Sequence, residues 1–266
     1  LEILKRLQPG GRLFATDVDP FELPKTEQRL RSLGYGEDTL FIRKMNFSEI
    51  DAIVAESGPL NFVLADLGVS SMQIDNPDRG FSFKVEGPLD LRLNPKNGIP
   101  ASELLSTVSK KTLEAILILN SDEPYAEPIA ETVINRVMGG IKIETTTQLK
   151  ELIEEALLFI PKQQRKDETK KSCQRVFQAL RIEVNDEFEV LDKFLEKLPD
   201  ALASGGRVAI LSFHSGEDRR VKKSFQQFFR EGIYSAIAPD PIRPSAQECN
   251  SNSRARSAKL RWAIKT

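Results

Sequence analysis

The chain has 266 residues, 40% of them apolar and 29% charged, with a net charge of −1. That is the composition of an ordinary globular protein. The near-neutral balance excludes a polycation that coats nucleic acid along its whole length, so any such contact must come from local patches. No apolar run approaches the ~20 residues a membrane helix needs. Cys173 and Cys249 match no metal spacing and fit a reducing compartment.

Residues 1–7, LEILKRL, read as the middle or end of an amphipathic helix that Pro9-Gly10-Gly11 stops. Upstream sequence is therefore expected, and a signal or transit segment stays open. Residues 12–17 read as a strand ending in Asp17, followed by a helix to residue 33. An acid there grips ribose hydroxyls in nucleotide-binding sheets; a helix cap is the plainer reading. Residues 39–43 form another strand, followed by a loop with Phe47 and a short helix over 50–57. The run Phe62-Val63-Leu64-Ala65 then stops at Asp66, as a buried parallel strand does when it delivers a carboxylate to the sheet's carboxyl edge. This β-α-β-α-β rhythm indicates a doubly wound parallel sheet.

After the turn at Gly68, Ser70 and Ser71 comes a long loop. It mixes Asp75, Asp78, Arg79, Asp90 and Arg92 with Phe81, Phe83 and Leu89. Such loops behind a rigid strand carry sites, although phenylalanines tucked into a core would look the same. From residue 99 the rhythm changes to helices, over 102–120, 125–137, 147–159 and 172–198. We divide the chain into a first α/β part (1–98), a helical insertion (99–172) and a second α/β part (173–266). Residues 162–171 read as a basic loop of the insertion, suited either to phosphates or simply to water.

The α/β rhythm then returns. A turn at 203–206 leads into a strong strand over 207–213, which ends at His214 and Ser215. Glu217 and Asp218 suit the dipole of the helix that starts there. His214, the only histidine, admits both a functional and a structural reading. Residues 239–253 read as an irregular loop, Arg254 and Arg256 as a second basic patch, and 258–264 as a final strand.

Taken together, Asp66-Leu67-Gly68-Val69-Ser70-Ser71, Asp78-Arg79-Gly80-Phe81-Ser82-Phe83 and Gly87-Pro88-Leu89-Asp90-Leu91-Arg92 resemble motifs of the RsmH/MraW family of small-subunit ribosomal RNA (cytosine-N4)-methyltransferases. So do Phe177-Gln178-Ala179-Leu180-Arg181-Ile182 with Asn185 and Glu187, Ser212-Phe213-His214-Ser215 with Glu217, and Asn252 with 254–257. The resemblance implies a class I (Rossmann-like) methyltransferase sheet with an inserted all-helical domain. It implies S-adenosyl-L-methionine as methyl donor, no metal, and a decoding-region cytosine in small-subunit rRNA or the assembled small subunit as acceptor. It places Asp17 on the donor's ribose, Phe47 against its adenine, and Asp66 and Gln73 at the methionine end.

On the chemistry such a transfer needs, Asp66 is the candidate acceptor for the amine's protons, with His214 and Asp90 lining the pocket. Phe81 and Phe83 are candidates to stack on the extruded base or wedge its neighbours, core packing being the plainer reading, and Arg79, Arg92, Arg254 and Arg256 are candidates to hold phosphates. The family's glycine-rich donor loop has no counterpart here and is expected just upstream of Leu1. Asp122 stands where the family usually has glycine, and Gly216 where it usually has leucine. Bacterial cytoplasm and an organelle, a plastid ahead of a mitochondrion, both stay open; so does the oligomeric state, with a dimer among the options. Two other classes compete. A nicotinamide-dependent oxidoreductase would use Asp17 but leaves the middle motifs unexplained. A non-catalytic RNA-binding remnant would need no donor loop.

Overall fold

The computed structural model describes every residue, Leu1–Thr266. In chain order the elements are β1 (Leu13–Asp17), α1 (Glu22–Ser32), β2 (Leu40–Lys44), α2 (Ile50–Ser57), β3 (Leu60–Asp66), α3 (Ser71–Asp75), α4 (Ala101–Thr107), α5 (Lys110–Ser121), α6 (Ala126–Met138), α7 (Thr146–Ala156), α8 (Lys162–Val184), α9 (Glu187–Ala201), β4 (Leu202–Ser212), α10 (Ser215–Arg230), β5 (Tyr234–Ile237), α11 (Ala246–Ser251) and β6 (Lys259–Lys265). They fold into two compact units, Leu1–Gly68 with Phe188–Thr266, and Val69–Glu187.

The first unit is α/β. β1 pairs with β2 in parallel, and a second sheet runs β3-β4-β6-β5, with β3 and β4 parallel and β6 antiparallel to both neighbours. The one continuous sheet read from the strand rhythm is therefore two, because no ladder joins β1 to β3. Phe62 and Leu64 on β3 are correspondingly exposed, at 51% and 48%. Val208, Ile210 and Ala263 on the strands bury against Leu195, Leu198 and Phe225 on the helices. The turn read at 203–206 lies inside β4 as an irregularity: the register slips between Leu60 and Phe62, and Gly205 takes φ +71°. Of the amphipathic helix read over 1–7, only a 3₁₀ turn at Leu4–Arg6 forms.

The second unit is built on helices. Leu105, Leu113, Leu117, Ile129, Val133, Leu149, Ile153, Phe177 and Leu180 make its core, and Leu89 and Leu91 from the long loop join them. The unit thus reaches back to Val69, ahead of the boundary drawn at 98/99, and forward to Glu187, past the one drawn at 172/173. Two helices read as continuous are broken. Ser109 caps α5 by accepting from the Thr112 N–H, which separates α4 from α5. Asn185 and Asp186, the latter at φ +51°, separate α8 from α9. The basic loop read at 162–171 is instead the opening of α8. Lys, Gln, Arg and Glu are strong helix formers, Pro161 suits the approach to a first turn, and Arg165 turns back to donate to the Ile160 carbonyl at 2.9 Å.

Two departures from the family pattern have local reasons. Asp122 ends α5 in the left-handed region, φ +51°, which glycine favours and aspartate tolerates. A Cβ on Gly216 would stand 2.5 Å from the Phe188 ring, so that ring fills the space a larger side chain would need.

Candidate active site

Asp66 closes β3 at its carboxyl end. Its backbone pairs with Leu211 of β4, and Leu67 N–H donates to the Leu211 carbonyl at 3.0 Å. Three residues after β4 ends at Ser212, α10 begins at Ser215. The turn is fixed by a capping box: His214 Nδ1 accepts from Glu217 N–H, while Glu217 Oε2 accepts from Phe213 N–H at 2.8 Å and from His214 N–H at 3.4 Å. An Nδ1 that accepts leaves the imidazole proton on Nε2, which lies 3.2 Å from Glu217 Oε1. Glu217 is 4% exposed.

Asp66 is open to solvent on one side and accepts no side-chain hydrogen bond. Shielding by the protein around its carboxyl, and then the negative charge of Glu217, hold it above the ordinary aspartate range. The structure thus brings together Asp66, His214 and Glu217. In the sequence Glu217 is a helix-dipole residue and a motif member without an assigned role. The His-x-x-Glu spacing at a strand-to-helix turn was the signal for its bracing role.

The other strand ends carry the remaining residues of this unit. Asp17 ends β1 exposed and accepts from Asp19 N–H at 2.8 Å. The capping role is Asp19's: it is fully buried and its Oδ1 accepts from the N–H groups of Phe21 and Glu22. Phe47 sits half-buried just past β2, its ring edge-on to Phe194 at 5.1 Å. Arg254 and Arg256 are exposed on a 3₁₀ turn, Ser253–Ser257.

In the helical unit, the loop residues brace one another. Asp90 and Arg92 form a two-bonded pair, Nε to Oδ1 and Nη2 to Oδ2 both at 2.7 Å, which holds the Arg92 guanidinium in the charged form. Arg79 is 6% exposed and donates to the carbonyls of Arg92 and Leu93. It also lies 5.5 Å from the Phe81 ring centre. Phe81 and Phe83 pack on the helical core, Phe83 5.5 Å from Phe177.

Gln73 is buried at the N3 position of α3, accepting from Ser70 N–H at 2.7 Å. Asn185 was read as a motif residue without a role. Its amide takes Leu93 N–H on one side and gives to the Leu91 carbonyl on the other, at 2.7 and 2.8 Å. Leu91 is held by this at φ +66° while 1% exposed.

Hollows on the surface, one lined by Thr132, Asn135 and Arg136 and another by Phe229, Arg230 and Ile237, include none of these residues.

The whole chain, residues 1–266, matches the family model described as the MraW methylase family. It is 67% identical over 265 residues to the ribosomal RNA small subunit methyltransferase H 2 of Alkaliphilus metalliredigens, covering 100% of this chain and 76% of that one. The corresponding enzyme 1 of Lachnoclostridium phytofermentans is 60% identical, with 99% and 72% covered. The methyltransferase H of a Cyanothece strain is 40% identical, with 96% and 80% covered. These relatives are bacterial, and nothing in them supports the organelle reading. No helix is long and apolar enough to cross a membrane.

Proposed function

Since the chain belongs to the MraW methylase family, and so to a family of methyltransferases, we propose that it transfers a methyl group from S-adenosyl-L-methionine to the exocyclic N4 amine of a cytosine in the decoding region of small-subunit ribosomal RNA. The names of its relatives support the RNA class. The observation that carries the chemistry is Asp66, an exposed strand-end carboxylate whose proton affinity is raised by shielding and by Glu217. We place the enzyme in a bacterial cytoplasm, acting on the small subunit.

The residues present fit such a donor at two points. Asp17 is exposed at the end of β1 with helix capping left to Asp19, and Phe47 offers a half-buried ring at the end of β2. When bound, the donor supplies a sulfonium methyl whose C–S bonding pair stays with sulfur as the C–N bond forms. The protein must then manage the amine. Its lone pair is delocalised into the cytosine ring, and attack makes the nitrogen positive. Asp66 accepts a hydrogen bond from the amine, which localises the lone pair and stabilises the developing charge. A carboxylate with raised proton affinity is the better acceptor, and it can also take the proton that nitrogen sheds. His214 and Glu217 act on this step by holding the β4-α10 turn, and Glu217 by the negative charge that Asp66 feels.

In the helical unit, Phe81 and Phe83 are proposed to wedge the base neighbours, and Asp90, Arg92, Arg79 and Gln73 to shape the loop that meets them. Exposed Arg254 and Arg256 are the phosphate contacts of the α/β unit.

Incubation with S-adenosyl-L-methionine and small subunits lacking the modification, followed by nucleoside mass spectrometry, tests this reading. N4-methylcytidine is expected. A methyl group on carbon 5, or no transfer by a protein that binds the RNA, refutes the assigned chemistry; the second result selects the RNA-binding remnant.

A further inference from the structure

On one flank of α8, Lys162, Lys166 and Lys170 follow one another at every fourth residue, and Gln174 continues the row. Residues four apart form a ridge along a helix, each step rising about 6 Å. All three lysines are exposed and none has a carboxylate partner. Several other cations of this unit are paired, Lys110 with Glu131, Arg136 with Glu155, Lys150 with Glu154, Lys171 with Glu168 and Arg181 with Glu187, and the unpaired ones elsewhere form no such row.

The row is also badly placed for stability. Its first member, Lys162, stands in the opening turn of a helix that has no acid there, where the dipole favours negative charge. Leu158 and Phe159, just before the row, are 58% and 65% exposed. Phe159 packs edge-on to Tyr125 at 5.9 Å and keeps the rest of its ring open, and free cations in register, three residues on from such a ring, are the pattern of a surface that tracks a nucleic-acid backbone.

We propose that this ridge is the RNA-docking surface of the helical unit, its three lysines each lying on a phosphate and Phe159 on an adjoining base or ribose. The proposal rests on the rRNA reading above and adds where the helical unit grips that RNA.

The test is Lys162, Lys166 and Lys170 all changed to Glu in the full chain, with a Lys→Gln triple variant beside it. Binding is measured to naked small-subunit rRNA and to whole small subunits between 50 and 200 mM salt (about the range over which phosphate contacts are read). Each lost phosphate contact removes about 0.7–0.9 from the log–log salt slope, so the Gln variant should flatten it by about 2 to 3 and bind roughly ten-fold more weakly. The Glu variant should bind more weakly still, at a helical circular-dichroism signal equal to the parent's. Donor affinity should not move.

An unchanged slope on both RNA and subunits overturns the ridge while leaving methyl transfer by the parent intact. Weaker binding to subunits with naked RNA unaffected assigns the ridge to a ribosomal protein and overturns it equally. Lysine-dependent RNA binding by a parent that transfers no methyl group supports the ridge and sinks the methylation reading instead.

Discussion

Among single residues, Asp66 is the one assigned the chemistry. Its folded-state proton affinity is raised. Across the window between its unfolded and folded pKa the native state binds the extra proton, so this group makes stability fall as pH rises, and at neutral pH it works against the fold. Asp66→Asn should therefore melt at the same temperature or higher. The single-turnover transfer rate should depend on ionised Asp66, with an acid limb lying above the ordinary aspartate range of about 3.9. Glu217→Gln keeps a side chain able to complete the capping box but removes the charge. It should move that limb to lower pH, which a rate profile across pH 4 to 8 (roughly the span of such shifts) will show. A limb that stays put would sever Glu217 from Asp66.

Asp66 was legible in the sequence because an apolar strand run stops at it. What Glu217 does was not, because both strand and turn must be folded before its carboxylate reaches the Phe213 and His214 N–H groups. Arg79 failed in the opposite sense. An arginine in a charged loop reads as a phosphate contact, and only its burial and its bonds to the Arg92 and Leu93 carbonyls show that it ties the loop together.

At the scale of elements, the long loop is held by close backbone approach. Gly80 sits at φ +71°, and a Cβ there would lie 2.1 Å from the Pro88 carbonyl oxygen, while one on Gly87 would lie 2.1 Å from that of Pro77. Gly80→Ala should destabilise the helical unit by about 2 kcal/mol or more, from the strained φ and the forced shift of backbone; proteolytic nicking within 69–98 would rise with it.

In the α/β unit, Asp218 fastens α10 to β6. Shielding raises its proton affinity, but hydrogen bonds from Arg261 and Lys259 outweigh this, and the carboxyl ends below its ordinary range. That contribution is present above the unfolded pKa and fades as pH falls through the folded one. Asp218→Ala leaves Arg261, 5% exposed, without its carboxylate. A loss of about 3 kcal/mol in urea unfolding is expected. A change under ~0.5 kcal/mol would mean the pair contributes no more than a surface one.

Elements with strong periodicity, such as α2, α6 and β6, were legible to within a residue or two. α8 was misread over its first ten residues because charge suggested a loop where helix propensity was also high. The break between α8 and α9 depends on Asp186 taking a positive φ, which apolar spacing does not register.

At the scale of the whole molecule, the change from α/β to helical rhythm marked the insertion, but not its extent. Leu89 and Leu91 assign the loop to the helical core through tertiary packing alone. The family motifs were legible as an ordered set along the chain, and the match over residues 1–266 agrees with them. Those motifs do two jobs that sequence could not separate. Asp66 and His214 stand at the edge of a sheet, whereas Asp90, Arg92, Arg79 and Asn185 hold a loop in shape.

The most direct measurement is a paired one on Asp66→Asn and the parent protein: calorimetric binding of S-adenosyl-L-methionine, then single-turnover methyl transfer to small subunits at pH 7.5 (chosen about 3 units or more above an ordinary aspartate pKa). With donor at saturation for each protein, as the calorimetry defines it, the transfer rate should be lower by about 10² or more in the variant. Full transfer by Asp66→Asn would contradict this, because the carboxylate would then have no part in the chemistry assigned to it.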